Sequence, residues 1–269
     1  MIHRIGAIEV LDDLGAGPGS RVLRVRRAAD GREYALKVVS GRGRGRKFLA
    51  QLRNEARLGP LLDHPALVRV EGFEATSDWL WRPTGGRLLL EYLPGRTLDR
   101  LPRLPPPRLV PVLARAAAGL AHMHARGVHH ADVKPNNIVL GPAGATVIDF
   151  GLARRAGERP GRLQGTPDYM APEAVATGLV DGRADVFGFG ATAYRLLTGR
   201  GVPTAAPGLA VSAGVFRSRL GSVAGMCPEC PEELADLVHG CLDHDPKGRP
   251  AMAAVAAALA ALAGRLPPG

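Results

Sequence analysis

The sequence is short of several things, and each shortage narrows what the chain can be. Cysteine occurs three times in 269 residues, too few for the disulfide framework of a small secreted fold. Aromatic residues make up only 4%, and none is interleaved with basic residues in the manner of a surface that stacks on bases. No apolar run reaches membrane-spanning length; the alanine-rich stretch 251–263 is too short and reads as a terminal helix. The first ten residues lack a basic stretch followed by an apolar core, so no signal peptide is expected. No segment repeats with a period of 20–50 residues. A cytoplasmic location, with no membrane span and no nucleic-acid partner, is the expectation from these absences.

Acidic residues are the scarcer sign of charge, 25 against 35 lysines and arginines, for a formal net charge of +10. Such a balance suits nucleic acid, anionic membranes or acidic proteins. The positive residues are mostly scattered arginines, with small clusters at 42–47 and 154–162, and they read best as solvated surface.

Hydrophobic residues make up 46%, and the length allows one large domain or two lobes with a sizeable core. The runs 7–14, 21–28 and 33–40 are short, rich in β-branched residues and separated by glycine-containing turns such as Asp30-Gly31, the pattern of strands. Residues 46–58 fit one helix, with Phe48, Leu49, Leu52 and Ala56 at helical spacing, ended by Gly59-Pro60. Runs 67–73 and 87–92 read as two more strands. After Leu93-Pro94-Gly95 the character changes. Helices are expected at 110–125, 184–197, 232–242 and 251–262, the first two closed by Gly127 and Gly199. The proline run Leu104-Pro105-Pro106-Pro107 reads as a rigid connector into a helix, or as a ligand for a proline-recognition module.

Four groups of residues carry chemistry. Leu14-Gly15-Ala16-Gly17-Pro18-Gly19-Ser20-Arg21-Val22 lies between two strands, where glycines let backbone approach a phosphate closely. A dinucleotide fold would need a helix next, and the Walker spacing is absent. Lys37 sits on an apolar strand in Tyr34-Ala35-Leu36-Lys37, which is costly unless its charge is paired. Glu55 is the natural partner, because Phe48, Leu52 and Glu55 share one helix face. His130-Ala131-Asp132-Val133-Lys134-Pro135-Asn136-Asn137 is followed by Val147-Ile148-Asp149-Phe150-Gly151. Phosphoryl transfer needs a carboxylate to take the proton of the attacking hydroxyl and oxygen ligands for Mg²⁺; Asp132 supplies the first, Asn137 and Asp149 the second. Last, Cys227-Pro228-Glu229-Cys230 invites a zinc site with Cys241 and His239 or His244, but such a site needs four ligands and a second Cys-x-x-Cys pair is missing, so surface or core thiols of the helical lobe are the default reading.

These motifs resemble those of eukaryotic-type (Hanks-type) serine/threonine protein kinases, with a bacterial texture. The resemblance runs from about residue 6 to 262. It takes in the glycine loop, Ala35-Leu36-Lys37, Glu55, Glu91-Tyr92-Leu93, the Asp132 loop and Asp149-Phe150-Gly151. It continues through Gly165-Thr166-Pro167-Asp168-Tyr169-Met170-Ala171-Pro172-Glu173, Asp185 and Arg249. It implies an α+β, bilobal protein-kinase fold in a single catalytic domain. An N-lobe (1–90) of a five-stranded antiparallel sheet plus one helix would lead through a hinge (91–95) to a mainly helical C-lobe (96–264).

It further implies an ATP-dependent serine/threonine kinase using Mg²⁺, with Mn²⁺ as a substitute, and a protein substrate. Lys37 would contact the α and β phosphates and pair with Glu55. Asp132 would be the catalytic carboxylate and Lys134 would steady the γ-phosphate. Asn137 and Asp149 would hold metal. Gly15, Gly17, Gly19 and Ser20 would cover the phosphates. Adenine would lie between the lobes against Val22, Ala35 and Val139, bonded to backbone near Glu91 and Leu93, with Leu90 at the back. Glu173 and Arg249 would form a buried ion pair, Asp185 would cap the Asp132 loop, and Thr166 would bridge Asp132 and Lys134.

Four departures stand out. Ser20 replaces the third loop glycine. Ala131 replaces the arginine that usually meets an activation-segment phosphate. Gly59-Pro60 shortens the Glu55 helix, so that an activating partner pressing there would complete the Lys37–Glu55 pair. Asn136 replaces an acidic residue that some relatives use to select basic substrates; with arginines 154, 155, 159 and 162, this suggests a preference for acidic or neutral target sites. A pseudokinase scaffold and an aminoglycoside-type small-molecule phosphotransferase are the competing readings.

Overall fold

The computed structural model describes residues 5–17, 19–41, 45–77, 79, 83–158, 164–178, 180–203 and 212–267. Two compact units emerge: Met1–Pro94 with Asp149–Ala153, and Gly95–Ile148 with Arg154–Gly269.

The first unit is built on strands β1 (Ile8–Gly17), β2 (Ser20–Arg27) and β3 (Glu33–Ser40), helix α1 (Arg46–Leu58), and strands β4 (Val70–Ser77) and β5 (Pro83–Glu91). All pairings are antiparallel, in the order β1-β2-β3-β5-β4. Side chains alternate across the sheet, so one face carries Val25, Tyr34, Leu36 and Leu89, a fully buried cluster with Ile5. The opposite face carries Ala35 and Lys37, with Val22 directly across from Lys37 and Leu90 across from Ala35. Helix α1 buries Leu49, Leu52, Glu55, Ala56 and Leu58. It comes down on Gly86 of β5, where a Cβ would meet Leu52 and Leu49 at 3.0 and 3.1 Å. It ends at Leu58 as expected, and the chain continues through a tighter turn at Gly59–Leu61. The strand expected at 67–73 starts at Val70 instead. Leu67 and Val68 are buried just after the turn at 65–66, and apolarity alone does not separate a buried connecting segment from a strand.

The second unit contains β6 (Arg96–Thr97), α2 (Pro106–Ala125), β7 (Val128–His129), β8 (Ile138–Gly141), β9 (Gly144–Val147), β10 (Arg154–Arg155), α3 (Pro172–Thr177), α4 (Gly182–Thr198), α5 (Ala213–Arg219), α6 (Val223–Met226), α7 (Glu232–Cys241) and α8 (Met252–Ala263). The short strands form two small sheets, β6-β8-β9 and β7-β10. Helix α4 is buried over most of its surface and packs against α7, while α2 packs along α8. Its start is fixed by Asp181, whose carboxylate accepts the N–H groups of Arg183 and Ala184, and its end by Gly199 at φ 73°.

Helix α2 begins four residues earlier than the periodicity predicts. The proline run is neither connector nor free ligand strand: Pro105 is the cap and Pro106 and Pro107 form the first turn. Proline is tolerated there because the first-turn N–H groups have no intrahelical acceptor. Among the described residues, no helix is long and apolar enough to cross a membrane.

Candidate active site

In the first unit the lysine of β3 meets two carboxylates. Lys37 Nζ lies 2.9 Å from Glu55 Oε2 and 2.9 Å from Asp149 Oδ1. Glu55 is fully buried, and its Oε1 accepts the Phe150 N–H at 3.2 Å. Burial presses against the Lys37 charge, but the Glu55 and Asp149 carboxylates outweigh it and hold the ammonium above its ordinary range. Burial pushes the Glu55 carboxyl up, against the opposing pull of Lys37. Such a cation, fixed between two acids, stays charged at any physiological pH.

Asp149 adopts φ 67° in the left-handed region, a conformation that costs about 1–3 kcal/mol outside glycine and persists only where neighbours over-determine it. Its Oδ1 accepts the Gly151 N–H at 3.3 Å. Asn54, one residue before Glu55 on α1, donates to the carbonyls of Ala153 at 2.7 Å, Gly151 at 3.2 Å and Phe150 at 3.4 Å. The sequence reading missed this residue; its partners lie about a hundred positions away and leave no periodic trace.

The glycine loop is the β1–β2 hairpin, with Gly15 across from Val22 and Gly17 across from Ser20. Gly15 and Gly19 take φ values of 136° and 156°, which explains glycine at both positions. Ser20 begins β2 with its Oγ 3.4 Å from where a Gly17 Cβ would stand. Glu91 ends β5, its N–H donating to the Arg69 carbonyl at 2.9 Å, and Leu93 follows in the segment that closes this unit.

In the second unit the carboxylate of Asp132 is held on both oxygens. Oδ2 accepts Lys134 Nζ at 2.6 Å and Asn137 Nδ2 at 3.2 Å; Oδ1 accepts the Thr166 hydroxyl at 2.8 Å. Lys134 also donates to Thr166 Oγ1 at 2.7 Å, so Thr166 bridges the pair as the sequence suggested. Asn137 Nδ2 also donates to the Asp132 carbonyl at 2.8 Å. That use of the amide nitrogen leaves the oxygen as its ligating atom. Val139 lies in β8, paired with Thr97.

The loop that carries Asp132 is braced from beneath. Asp185, buried in α4, accepts the N–H groups of His130 at 2.7 Å and Ala131 at 2.8 Å, and His124 Nε2 at 2.8 Å. Burial works to raise the Asp185 carboxyl, but the hydrogen bonds and charge of His124 and the loop N–H outweigh it and hold the acid below its ordinary value. Ala131 itself sits at φ 65°. Behind α3, Arg249 makes a bidentate pair with Glu173 at 2.6 and 2.8 Å and donates to the carbonyls of Asp243 and Arg183.

The Lys37–Glu55 pair is closed in the chain as it stands, at 2.9 Å. At Gly59 a Cβ would overlap Val70 Cγ2, so Val70 occupies the space a side chain would need. Asn136 does not leave its position without negative charge, because its Nδ2 donates to Asp99 Oδ2 at 2.7 Å. A carboxylate therefore stands at that position. Arg154 is partly buried in β10 beside β7, while Arg159 and Arg162 lie outside the described residues. Cys227, Cys230 and Cys241 are buried and free, and burial raises the thiols of Cys230 and Cys241. Among the described residues no three His, Cys, Asp or Glu side chains gather as a metal site.

Comparison with known proteins fits this geometry. The family model described as a protein kinase domain matches residues 8–259. Serine/threonine-protein kinase pkn2 of Myxococcus xanthus is 33% identical over 210 residues, 72% of this chain and 25% of that protein. The probable serine/threonine-protein kinase PkwA of Thermomonospora curvata is 32% identical over 274 residues, 95% of this chain and 34% of that protein. Serine/threonine-protein kinase PknB of Mycobacterium leprae is 32% identical over 209 residues, 73% of this chain and 33% of that protein. The chain therefore spans a quarter to a third of the length of these curated relatives.

Proposed function

The chain belongs to the protein kinase domain family, and we propose that it transfers the γ-phosphate of ATP to serine or threonine hydroxyls of a protein substrate, with Mg²⁺ bound and Mn²⁺ able to replace it. The observation that carries this reading is the Asp132 carboxylate, oriented through Lys134, Thr166 and Asn137 on a loop braced by Asp185.

Asp132 orients the attacking hydroxyl and accepts its proton. Lys134, already beside that carboxylate, steadies the γ-phosphate. Lys37 meets the α and β phosphates, its charge secured by Glu55. The N–H groups of Gly15, Gly17, Gly19 and Ser20 cover the phosphates, and Val22, Ala35 and Val139 with backbone at Glu91 and Leu93 hold adenine. Asn137 and Asp149 fit a divalent cation of the Mg²⁺ kind. Both present oxygen, the donor such ions prefer, and the Asp149 side chain is 43% exposed. When bound, the metal neutralises charge on the phosphate oxygens.

Retention of Lys37, Glu55, Asp132, Asn137 and Asp149 favours an active enzyme over a pseudokinase scaffold. The Glu173–Arg249 anchor of the segment after Thr166 favours a protein substrate over a small molecule. The cytoplasm is the proposed location. The test is incubation with γ-labelled ATP, Mg²⁺ and a generic protein substrate, followed by phosphoamino-acid analysis. Label on serine and threonine is expected; label on tyrosine, or only on an added aminoglycoside, overturns the assignment.

A further inference from the structure

The glycine loop contributes almost no side chain of its own. From Ala16 to Gly19 the largest groups are a methyl and a proline ring. Of its three glycines, two face open space or a single hydroxyl: nothing lies within 4 Å of a Cβ on Gly15, and only Ser20 Oγ at 3.4 Å for Gly17. Gly19 differs. A Cβ there would overlap Cδ2 and Cε2 of Phe48 and stand 2.8 Å from its Cγ. The aromatic ring of α1 thus lies against Gly19, in the space that the missing side chain leaves.

Phe48 and Glu55 are seven residues apart, two turns of helix and therefore on one face. The same helix face holds the loop at one end and Lys37 at the other. Lys47 Nζ stands 4.6 Å over the Phe48 ring, which keeps a positive charge at the loop end of the helix.

We propose that Phe48 is a positioning residue for nucleotide phosphates: its ring on Gly19 holds the glycine loop in the conformation that receives them, without itself touching the nucleotide. This rests on the kinase reading above. A loop of glycines is flexible, and fixing it in advance removes an ordering cost from binding. The contact falls on Gly19, just before β2 begins at Ser20, so its effect is expected on the phosphates rather than on the adenine-facing side chains Val22 and Ala35.

The experiment compares wild type, Phe48→Ala and Phe48→Leu by equilibrium binding of ATP and of adenosine, and by steady-state kinetics. Phe48→Ala is expected to weaken ATP binding and raise KM for ATP about tenfold, with adenosine affinity and kcat at saturating ATP near wild type. Phe48→Leu, which keeps apolar volume on Gly19, is expected to recover most of the loss. Equal weakening of ATP and adenosine, or wild-type ATP affinity in Phe48→Ala, overturns the proposal. Wild-type protein that binds neither ligand overturns the kinase reading and this inference with it.

Discussion

Replacing Asp185 by asparagine isolates the brace beneath the Asp132 loop with a change of one atom. The carboxylate receives three donors: the His130 N–H and His124 Nε2 on Oδ2, and the Ala131 N–H on Oδ1. An amide has one oxygen. With that oxygen in the Oδ2 place, the NH₂ group confronts the Ala131 N–H; reversed, it confronts the other two donors. The better orientation therefore loses one charge-assisted bond, weakens two others and buries an unpaired donor. Bonds to charged groups contribute about 1.5–3 kcal/mol and an unsatisfied buried donor costs about 1–3 kcal/mol, so a loss of about 3 kcal/mol is expected. That corresponds to a fall in Tm of about 6–12 °C for a domain of this order of size. The Ala131 N–H released in this way belongs to a residue at φ 65°, so transfer activity should fall as well.

The pH dependence gives a second signature. Hydrogen bonds hold the folded Asp185 carboxyl below its ordinary value of 3.8. A depressed acid contributes stability that is present above the unfolded value and lost as pH falls through the folded one. The gap in Tm between wild type and Asp185→Asn should therefore be full at pH 7 and narrow below about pH 4. Thermal melts across that range check both points. A variant that melts within about 2 °C of wild type at pH 7 would refute the reasoning.

Lys37→Met and Asp149→Asn should each lower transfer by about 100-fold or more while leaving the fold intact, measured by initial rates and circular dichroism. Thr166→Glu should inactivate, because the hydroxyl that bridges Asp132 and Lys134 is replaced by a carboxylate beside a carboxylate. With Ala131 offering no cation, phosphatase treatment verified by mass spectrometry should leave the wild-type rate unchanged. Asn54→Ala should raise the Mg²⁺ concentration needed for half-maximal rate, since it frees the carbonyls that hold the Asp149 turn; an unchanged Mg²⁺ titration would show that the turn holds itself.

The sequence made legible whatever is local or periodic. Strand β3 and helix α1 fall where alternation and the 3.6-residue spacing place them, and the Asp132 loop declares itself through residue types that phosphoryl transfer demands. What depends on contact between distant positions was not legible. Phe48 reads as one more apolar residue of a helix, and only the fold brings it onto Gly19. Asn54 reads as a surface amide, and Asp99 as a loop acid, until the chain sets it beside Asn136. Short elements such as α3 and α6 lack the length for a period to register, and α2 starts inside a proline run that on composition alone reads as a spacer.

Asp132 is the carboxylate we propose to accept the proton of the attacking hydroxyl. The direct measurement is the initial rate of γ-phosphate transfer by wild type and Asp132→Asn at saturating ATP, with ATP affinity determined on the same samples. Equal affinities with a loss of transfer of about 100-fold or more is the predicted result. An Asp132→Asn variant that binds ATP and transfers phosphate at the wild-type rate would contradict the account.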